Sequence, residues 1–401
     1  MPTLLQINTT ANWGSTGRIA EDIGRIVKAQ DWGSHIAYGR YENASQSTLY
    51  CIGRKGDIYR HVLSTRLFDR HGLASKSATE TLIGYIEKIK PNIIHLHNIH
   101  GYFLNYPILF EYLSKTDIPV VWTLHDCWAF TGHCANYDFI GCERWQIGCH
   151  KCPQKKEYPA SLLFDRSAQN YADKKHWFTT PKNMTIVPVS EWLSGEVRKS
   201  FLRQYPIKVI YNGIDTEKFR PCEVDKKRFG FDGKFVVLGV ASVWSSRKGL
   251  ADFIELRKAL PEDCIIVLIG LNQKQIDSLP TGIVGILRTN DVHELAEYYS
   301  MADVYINMSV EETLGLVTVE SLSCGTPAIV YNATACPETV SSECGFVVDP
   351  HDIRRLVEIV HHIKSVNKSV YSAACRRRAV EYFNKTTRFY EYLELYESLI
   401  M

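Results

Sequence analysis

The sequence predicts an α/β protein of two domains, each built on a doubly wound parallel sheet. Three observations carry this. The chain has 401 residues, and at about 150 residues per domain that is room for two or three. Short apolar runs alternate with segments of helical period, the rhythm of parallel strands joined by crossover helices. The series runs through twice, once on each side of a polar stretch near residue 180.

In the first series Leu4–Ile7 reads as a strand. Gly17–Ala29 is a helix with Ile19, Ile23, Ile26 and Val27 on one face. His35–Tyr38 is the second strand, Thr79–Lys90 a helix, Asn92–His97 a strand, and Pro119–Leu124 (PVVWTL) a buried strand. A linker is expected at Thr179–Lys182, around Pro181. The second series comprises Thr185–Val189, Lys208–Tyr211, Phe235–Val240, Cys264–Ile269, Gly282–Leu287, Asp303–Asn307 and Pro327–Val330. A last helix is expected over Ser369–Leu399, with Phe389, Leu393, Tyr396 and Ile400 on a face that must be covered. The expected boundaries are 1–182, 183–375 and a returning helix at 376–401.

Composition narrows the class. With 45% hydrophobic and 22% charged residues the chain is neither disordered nor collagen-like. Lys+Arg 46 against Asp+Glu 44 excludes a polybasic nucleic-acid binder. The charge is uneven: residues 1–185 carry a net +5 and the rest −3. No apolar run reaches the roughly 18 residues of a membrane span, and MPTLLQINTT is not a signal peptide. A cytoplasmic location is expected, where 12 cysteines do not read as a disulfide framework.

The segment with most chemical content is Ser309–Pro327. A strand ends, a loop carries Glu312, a helix begins near Thr313–Leu316, Glu320 lies about two turns into it, and Gly325 and Pro327 close it. Open α/β sheets bind ligands at the carboxyl ends of their strands, and a helix start there suits a phosphate. Two carboxylates would repel phosphates. They serve better as acceptors for the hydroxyls of a ribose and a sugar.

Glu312-x7-Glu320 with Cys324-Gly-Thr-Pro327 resembles the signature of the family-4 retaining glycosyltransferases. Asn212-Gly-Ile-Asp215 with Phe219 and Pro221, Pro188-Val-Ser-Glu-Trp192, Arg247-Lys-Gly249, Ala302-Asp303 and Gly345–Pro350 resemble further segments of that family, in order. The resemblance implies the GT-B fold: two Rossmann-like domains facing across a cleft, closing on a nucleotide sugar. It implies that Glu320 binds the ribose hydroxyls and Glu312 the transferred sugar. Thr313, Leu314, Gly315 and Leu316 would offer N–H groups to the diphosphate and sugar. Arg247 and Lys248 would neutralise the leaving diphosphate, so that no metal is needed. The family's usual arginine, six residues before the lysine, is Ser242 here, and either Arg247 or another basic group takes its place. Glu311 reads as an ordinary exposed glutamate.

Trp13-Gly-Ser-Thr-Gly17-Arg18 is a glycine turn, not a dinucleotide fingerprint, which disfavours a nicotinamide site. It resembles the family's glycine loop, with Gly17 near the donor phosphate. His125, closing the PVVWTL strand, matches the histidine that contacts the transferred sugar. His97 and His100 are candidates for the acceptor side or are structural. The implied activity is transfer of a hexose from a UDP- or GDP-sugar, with retention, to a saccharide or lipid-linked acceptor of a bacterial surface polysaccharide. An inactive nucleotide-sugar scaffold and a GT-B epimerase are the alternatives.

Five of the cysteines fall between Cys127 and Cys152. Cys134, Cys142, Cys149 and Cys152 make a candidate structural zinc quartet, with free thiols or two disulfides as alternatives. The segment also resembles an insert of surface-polysaccharide members of the family. The other cysteines read as packing residues. Arg54–Lys76, with six Lys/Arg against two Asp and the stripe Ile58, Tyr59, Val62, Leu63, Leu67, Phe68, reads either as a basic amphipathic helix on an inner-membrane surface or as a helix packed on the sheet.

Overall fold

The computed structural model describes residues 1–401 as two units, Met1–Tyr211 with Phe389–Met401, and Asn212–Arg388. The first holds strands β1 (Thr3–Ala11), β2 (Gly33–Glu42), β3 (Thr48–Cys51), β4 (Ile93–Leu96), β5 (Val120–Leu124) and β6 (Met184–Pro188). They form one sheet in the order β3-β2-β1-β4-β5-β6, every pair parallel. The second holds β7 (Phe235–Val240), β8 (Cys264–Ile269), β9 (Ile283–Ile286), β10 (Val304–Asn307), β11 (Ala328–Tyr331) and β12 (Gly345–Val348). Its order is β12-β11-β10-β7-β8-β9, also all parallel. Both sheets follow the same walk: three strands out to one edge, a return to the centre, three strands to the other. Each therefore has a switch point, β1/β4 and β7/β10, where successive crossovers leave in opposite directions and open a crevice at the strands' carboxyl ends.

Parallel strands must be covered on both faces, and the sequence supplies both. In the first sheet Leu5, Ile94, Trp122 and Ile186 face one core. Their neighbours Leu4, Ile93, Val121 and Val187 face another, closed by Phe389, Tyr392, Leu393 and Tyr396 of the last helix. That helix is also bonded in: the Tyr396 hydroxyl lies 2.6 Å from His95 Nδ1, and Thr123 Oγ1 donates to the Tyr392 hydroxyl at 3.0 Å. Phe389→Ala is expected to cost the first unit about 3–5 kcal/mol, as for other fully buried aromatics. Urea unfolding followed by tryptophan fluorescence checks this, and an unchanged midpoint would remove the helix from the core.

Three sequence expectations are corrected. Met184–Pro188 pairs with Val120–Leu124, so it is the edge of the first sheet and not the start of a second series; the stretch Thr179–Lys182 lies inside the first unit. Lys208–Tyr211 is no strand. It follows β6 through Lys208 N–H to Ile186 O and Ile210 N–H to Pro188 O, a ladder that Pro188 cannot return because it has no N–H. The terminal helix is two, Ser369–Phe383 and Lys385–Ile400. Ile214 divides them by donating to Phe383 O at 2.8 Å and accepting from Lys385 N–H at 2.9 Å. Asn384 then caps the second helix, its Oδ1 accepting from Thr386 N–H at 2.9 Å.

Candidate active site

In the second unit the site grows from the carboxyl ends of β7 and β10. After β7 the chain makes a short 3₁₀ turn, Ser246–Lys248, and Gly249 at φ 76° starts the helix Leu250–Ala259. After β10 the loop 308–315 carries Glu311 and Glu312. The two loops are stitched together. Val310 N–H donates to Arg247 O at 3.0 Å, and Arg247 Nη1 donates to Glu311 O at 2.8 Å. Lys248 Nζ then reaches Glu312 Oε1 in an ion pair, and Ser309 Oγ donates to the same oxygen at 3.1 Å. Thr334 clamps the backbone of Glu312, accepting its N–H and donating to its C=O, both at 2.8 Å.

The helix carrying Glu320 begins at Leu316, later than expected, and runs to Ser323. Glu320 is therefore one turn into it, where Oε2 accepts from the Tyr299 hydroxyl at 2.9 Å. Thr313, Leu314 and Gly315 lie in the loop before the helix. Gly315 sits at φ 90°, a conformation that costs a side-chain-bearing residue about 1 kcal/mol or more. The first-turn amides beginning at Leu316 thus emerge at the end of β10, where partial positive charge accumulates. Glu311, expected to be exposed, is 1% exposed. Ser242, in the loop just past β7, is exposed, and the cations beside Glu312 are Arg247 and Lys248. Ser309, Thr334 and Tyr299 escaped sequence reasoning, since no spacing links Thr334 to a glutamate 22 residues away.

In the first unit the β1/β4 switch point has its own polar chain. Gln6 Nε2 donates to Ala20 O at 2.7 Å, and a carbonyl can only accept. That leaves Gln6 Oε1 to accept from His97 Nε2 at 3.0 Å. Neutral His97 then carries its lone pair on Nδ1, so His125 Nε2 is the donor of the 3.3 Å bond between them. His125 is therefore the Nε2–H tautomer, with its lone pair on Nδ1. Burial lowers the pKa of His97 far below the usual histidine value and that of His125 to about 4, so both are neutral at physiological pH. Beside them Asp126 accepts from Trp128 N–H at 2.9 Å and lies 2.9 Å from His100 Nε2. Desolvation opposes its charge, but His100 and the Trp128 amide outweigh it and hold its pKa below the usual carboxylate value. His100 Nδ1 is bonded to the Tyr158 hydroxyl at 3.0 Å.

Gly17 is not in the turn. The helix starts at Gly14, which puts Gly17 in its first turn, where a Cβ would stand 2.6 Å from Thr10 Oγ1. The absent side chain lets the helix seat on the end of β1.

The four cysteines of the insert line one small apolar pocket with Tyr137 and Trp145. They are free thiols, and three of them take part in hydrogen bonds. Gly132 N–H donates to Cys149 Sγ at 3.1 Å, and Cys134 is hydrogen-bonded to Cys152, drawing the Cys152 thiol down to about 7 and its own far up. No three His, Cys, Asp or Glu side chains form a metal-ligand set. The four cysteines of the expected quartet are thus neighbours around one pocket. Cys51 and Cys222, expected to be packing residues, are exposed.

The chain matches the sequence profile of glycosyltransferase family 4 over residues 18–218 and that of the glycosyl transferases group 1 over residues 223–378. It is 24% identical over 375 residues, 89% of each chain, to WcaC of Escherichia coli strain K12, named as a colanic acid biosynthesis glycosyl transferase. Among solved structures it resembles sucrose-phosphate synthase of Thermosynechococcus elongatus, with a TM-score of 0.74 and 15% identity over 100% of this chain and 99% of that one. It also resembles Anabaena HepE solved in complex with UDP, with a TM-score of 0.68 and 15% identity over 99% and 100%. Two parallel sheets in this order, each with polar groups gathered at its switch point, are the GT-B architecture, and the chain belongs to glycosyltransferase family 4.

Proposed function

We propose that the protein transfers a sugar from a UDP- or GDP-sugar to a saccharide or lipid-linked acceptor in surface polysaccharide biosynthesis, with retention and without a metal ion. It works in the cytoplasm, peripherally at the inner face of the membrane. The observation that carries this reading is the Lys248–Glu312 pair at the β7/β10 switch point. A diphosphate brought beside a bare glutamate would be repelled. Here Lys248 lies against that glutamate, so one cation serves both the sugar-binding carboxylate and the phosphate.

The roles follow. Glu320 takes the ribose hydroxyls, and its bond from Tyr299 keeps the carboxylate aimed. The loop Thr313–Gly315 and the Leu316 amide take the diphosphate and sugar, as does Gly17 of the first unit through its helix start. Arg247 and Lys248 stabilise the charge that grows on the leaving diphosphate. Glu312 and His125 hold the transferred sugar. The acceptor hydroxyl attacks carbon 1 on the face the diphosphate leaves. Its proton passes to the departing phosphate oxygen, and the configuration is kept. No carboxylate acts as a nucleophile; the protein contributes position and charge. The naming of WcaC supports the polysaccharide context, and the UDP complex of HepE supports a nucleotide donor.

A thermal-shift panel of UDP-, GDP- and ADP-sugars tests the reading. Ligand at 100 times its Kd stabilises the folded state by about 2.7 kcal/mol, so one member is expected to raise Tm by several degrees. If none does, the donor site is misassigned. Proton NMR of the product reports the anomeric configuration, and inversion would refute the mechanism.

A further inference from the structure

The carboxyl edge of the first sheet carries two large rings that folding leaves in solvent. Trp13 stands just past β1 and Tyr41 at the end of β2. They are 47% and 46% exposed, and their centroids lie 4.7 Å apart. The Arg40 guanidinium lies over the Tyr41 ring at 5.1 Å. The backbone beneath them is fixed. Thr10 Oγ1 donates to Trp13 O at 2.7 Å, and Asn12 N–H donates to Gly17 O at 3.0 Å. Asn43 ties the two strand ends together, its N–H donating to Ala11 O at 3.0 Å and its Nδ2 to Asn12 O at 2.8 Å. Exposed rings on a rigid backbone can hold a ligand at little ordering cost.

From this pair a line of contacts crosses the carboxyl edge to the end of β5. Arg40 also lies 5.9 Å from the Tyr102 ring, and Tyr102 meets Tyr158 edge-on at 6.0 Å. The Tyr158 hydroxyl donates to His100 O at 2.8 Å, and His100 touches Asp126, the neighbour of His125. Tyr102 stands at φ 66°, a left-handed conformation rare for a bulky residue. Such a residue costs about 1–3 kcal/mol and persists at ligand-binding positions, where its surroundings impose it. With β1 and β4 between them, the ends of β2 and β5 are about 14 Å apart.

Length and chemistry together select the ligand. The C–H face of a sugar ring stacks on an indole or a phenol, while its rim of hydroxyls needs polar partners. Arg40 supplies them. One of its N–H groups goes to the Tyr41 hydroxyl at 3.3 Å, and a guanidinium has further donors to offer. The distance to the His125 end of the line exceeds one sugar ring. A nucleobase would also stack on Trp13, but the proposed donor site holds its nucleotide on the second unit.

We infer that Trp13, Tyr41 and Arg40 form a subsite for a sugar remote from the reacting hydroxyl, so that the acceptor is an oligosaccharide and not a single sugar. The remote ring lies on Trp13 and Tyr41, with its hydroxyls on Arg40. The chain then follows Tyr102 and Tyr158 to the reacting end beside Asp126 and His125. The inference rests on the sugar-transfer reading and specifies its acceptor.

An array of immobilised oligosaccharides from bacterial surface polysaccharides, with their component monosaccharides beside them, tests this on the full chain. The wild-type protein is expected to bind at least one oligosaccharide and none of the monosaccharides. Trp13→Ala and Tyr41→Ala are each expected to weaken that binding about tenfold, the loss of one good ring contact. Trp13→Phe keeps a ring and is expected to retain most of it. Tyr41→Ala alters an exposed side chain and is expected to leave Tm and the nucleotide-sugar shifts unchanged. Three results would overturn the inference: no array binding by the wild type, monosaccharides bound as well as oligosaccharides, or both alanine variants within twofold of wild type. A protein that shifts with a nucleotide sugar but fails on the array loses only this subsite, whereas failure with every nucleotide sugar removes the donor reading itself.

Discussion

Lys248→Ala is expected to lower kcat by about 10²–10³-fold, the scale set by removing one preorganised group that stabilises transition-state charge. Lys248 and Glu312 are each 16% exposed, so their charges are poorly screened and the diphosphate would feel the lysine strongly. The variant is expected to fold normally, since Lys248 lies in a surface turn whose backbone is held independently by the Arg247 and Val310 bonds. Glu312→Gln separates the two roles. It keeps the size of the side chain and its acceptor oxygen but releases Lys248, so it is expected to depress kcat more than it raises KM for the donor. Steady-state assays with the donor found by the thermal-shift panel check both. A Lys248→Ala enzyme within twofold of wild type would show that the leaving group is neutralised elsewhere, Arg247 being the first place to look.

Acidification is expected to unfold the first unit before the second. Burial lowers the pKa of His61 and His125 to about 4 and those of His71, His95 and His97 well below the usual value. The bonding agrees with the direction. Gly72 N–H already points at His61 Nε2, so a proton there would set two donors face to face. Protonation of His97 Nδ1 would do the same against His125.

Because the unfolded chain takes up these protons near pH 6.5 and the folded one only well below that, near 4 for His61 and His125, their stabilising contribution is complete above pH 6.5 and is lost as pH falls. His61 alone contributes on the order of 3 kcal/mol by pH 4, a large part of the 5–15 kcal/mol typical of a domain (about 0.1 kcal/mol per residue). His133 runs the other way. Its pKa is raised despite desolvation, because Asp69 favours the imidazolium, so its contribution is present below pH 6.5 and is lost as pH rises. It is one group against six, since burial lowers the pKa of His35 as well. The histidines of the second unit, His293, His351, His361 and His362, are all exposed.

Of the eight tryptophans only Trp244 lies in the second unit, so tryptophan fluorescence reports the first. Its urea midpoint is expected to fall between pH 7 and pH 5, and a flat profile would mean that these histidines are hydrated in solution.

Much of this protein was legible in its chain because the signals were local. The alternation of apolar runs with helical periods predicts two parallel sheets, since a parallel strand needs both a buried run and a crossover to its neighbour. Glu312, Lys248 and His125 lie in the segments that follow strands and Glu320 in the helix next after one, and in a doubly wound sheet the carboxyl side of the strands is already a place. What the chain could not show was set by partners far apart in sequence. Met184–Pro188 reads like the opening of a new domain until Val120–Leu124 claims it as an edge. The break at Asn384 exists because Ile214 takes the helix-end groups on either side. Glu312 owes its position to Thr334, and His125 its tautomer to Ala20 through Gln6 and His97.

The thiol cluster and the basic helix mark the limit most clearly. Spacing placed four cysteines together, but only the packing decided that Gly132 and the Cys134–Cys152 contact engage three of them. Period placed Tyr59, Leu63 and Phe68 on a stripe, but only the burial of His61 and Thr65 decided that the stripe faces out. A sequence determines which residues share a strand or a helix face, because those follow from a fixed repeat. Which face turns inward, and which distant group meets it, depends on the summed fit of the whole core, and that sum exists only in the folded chain.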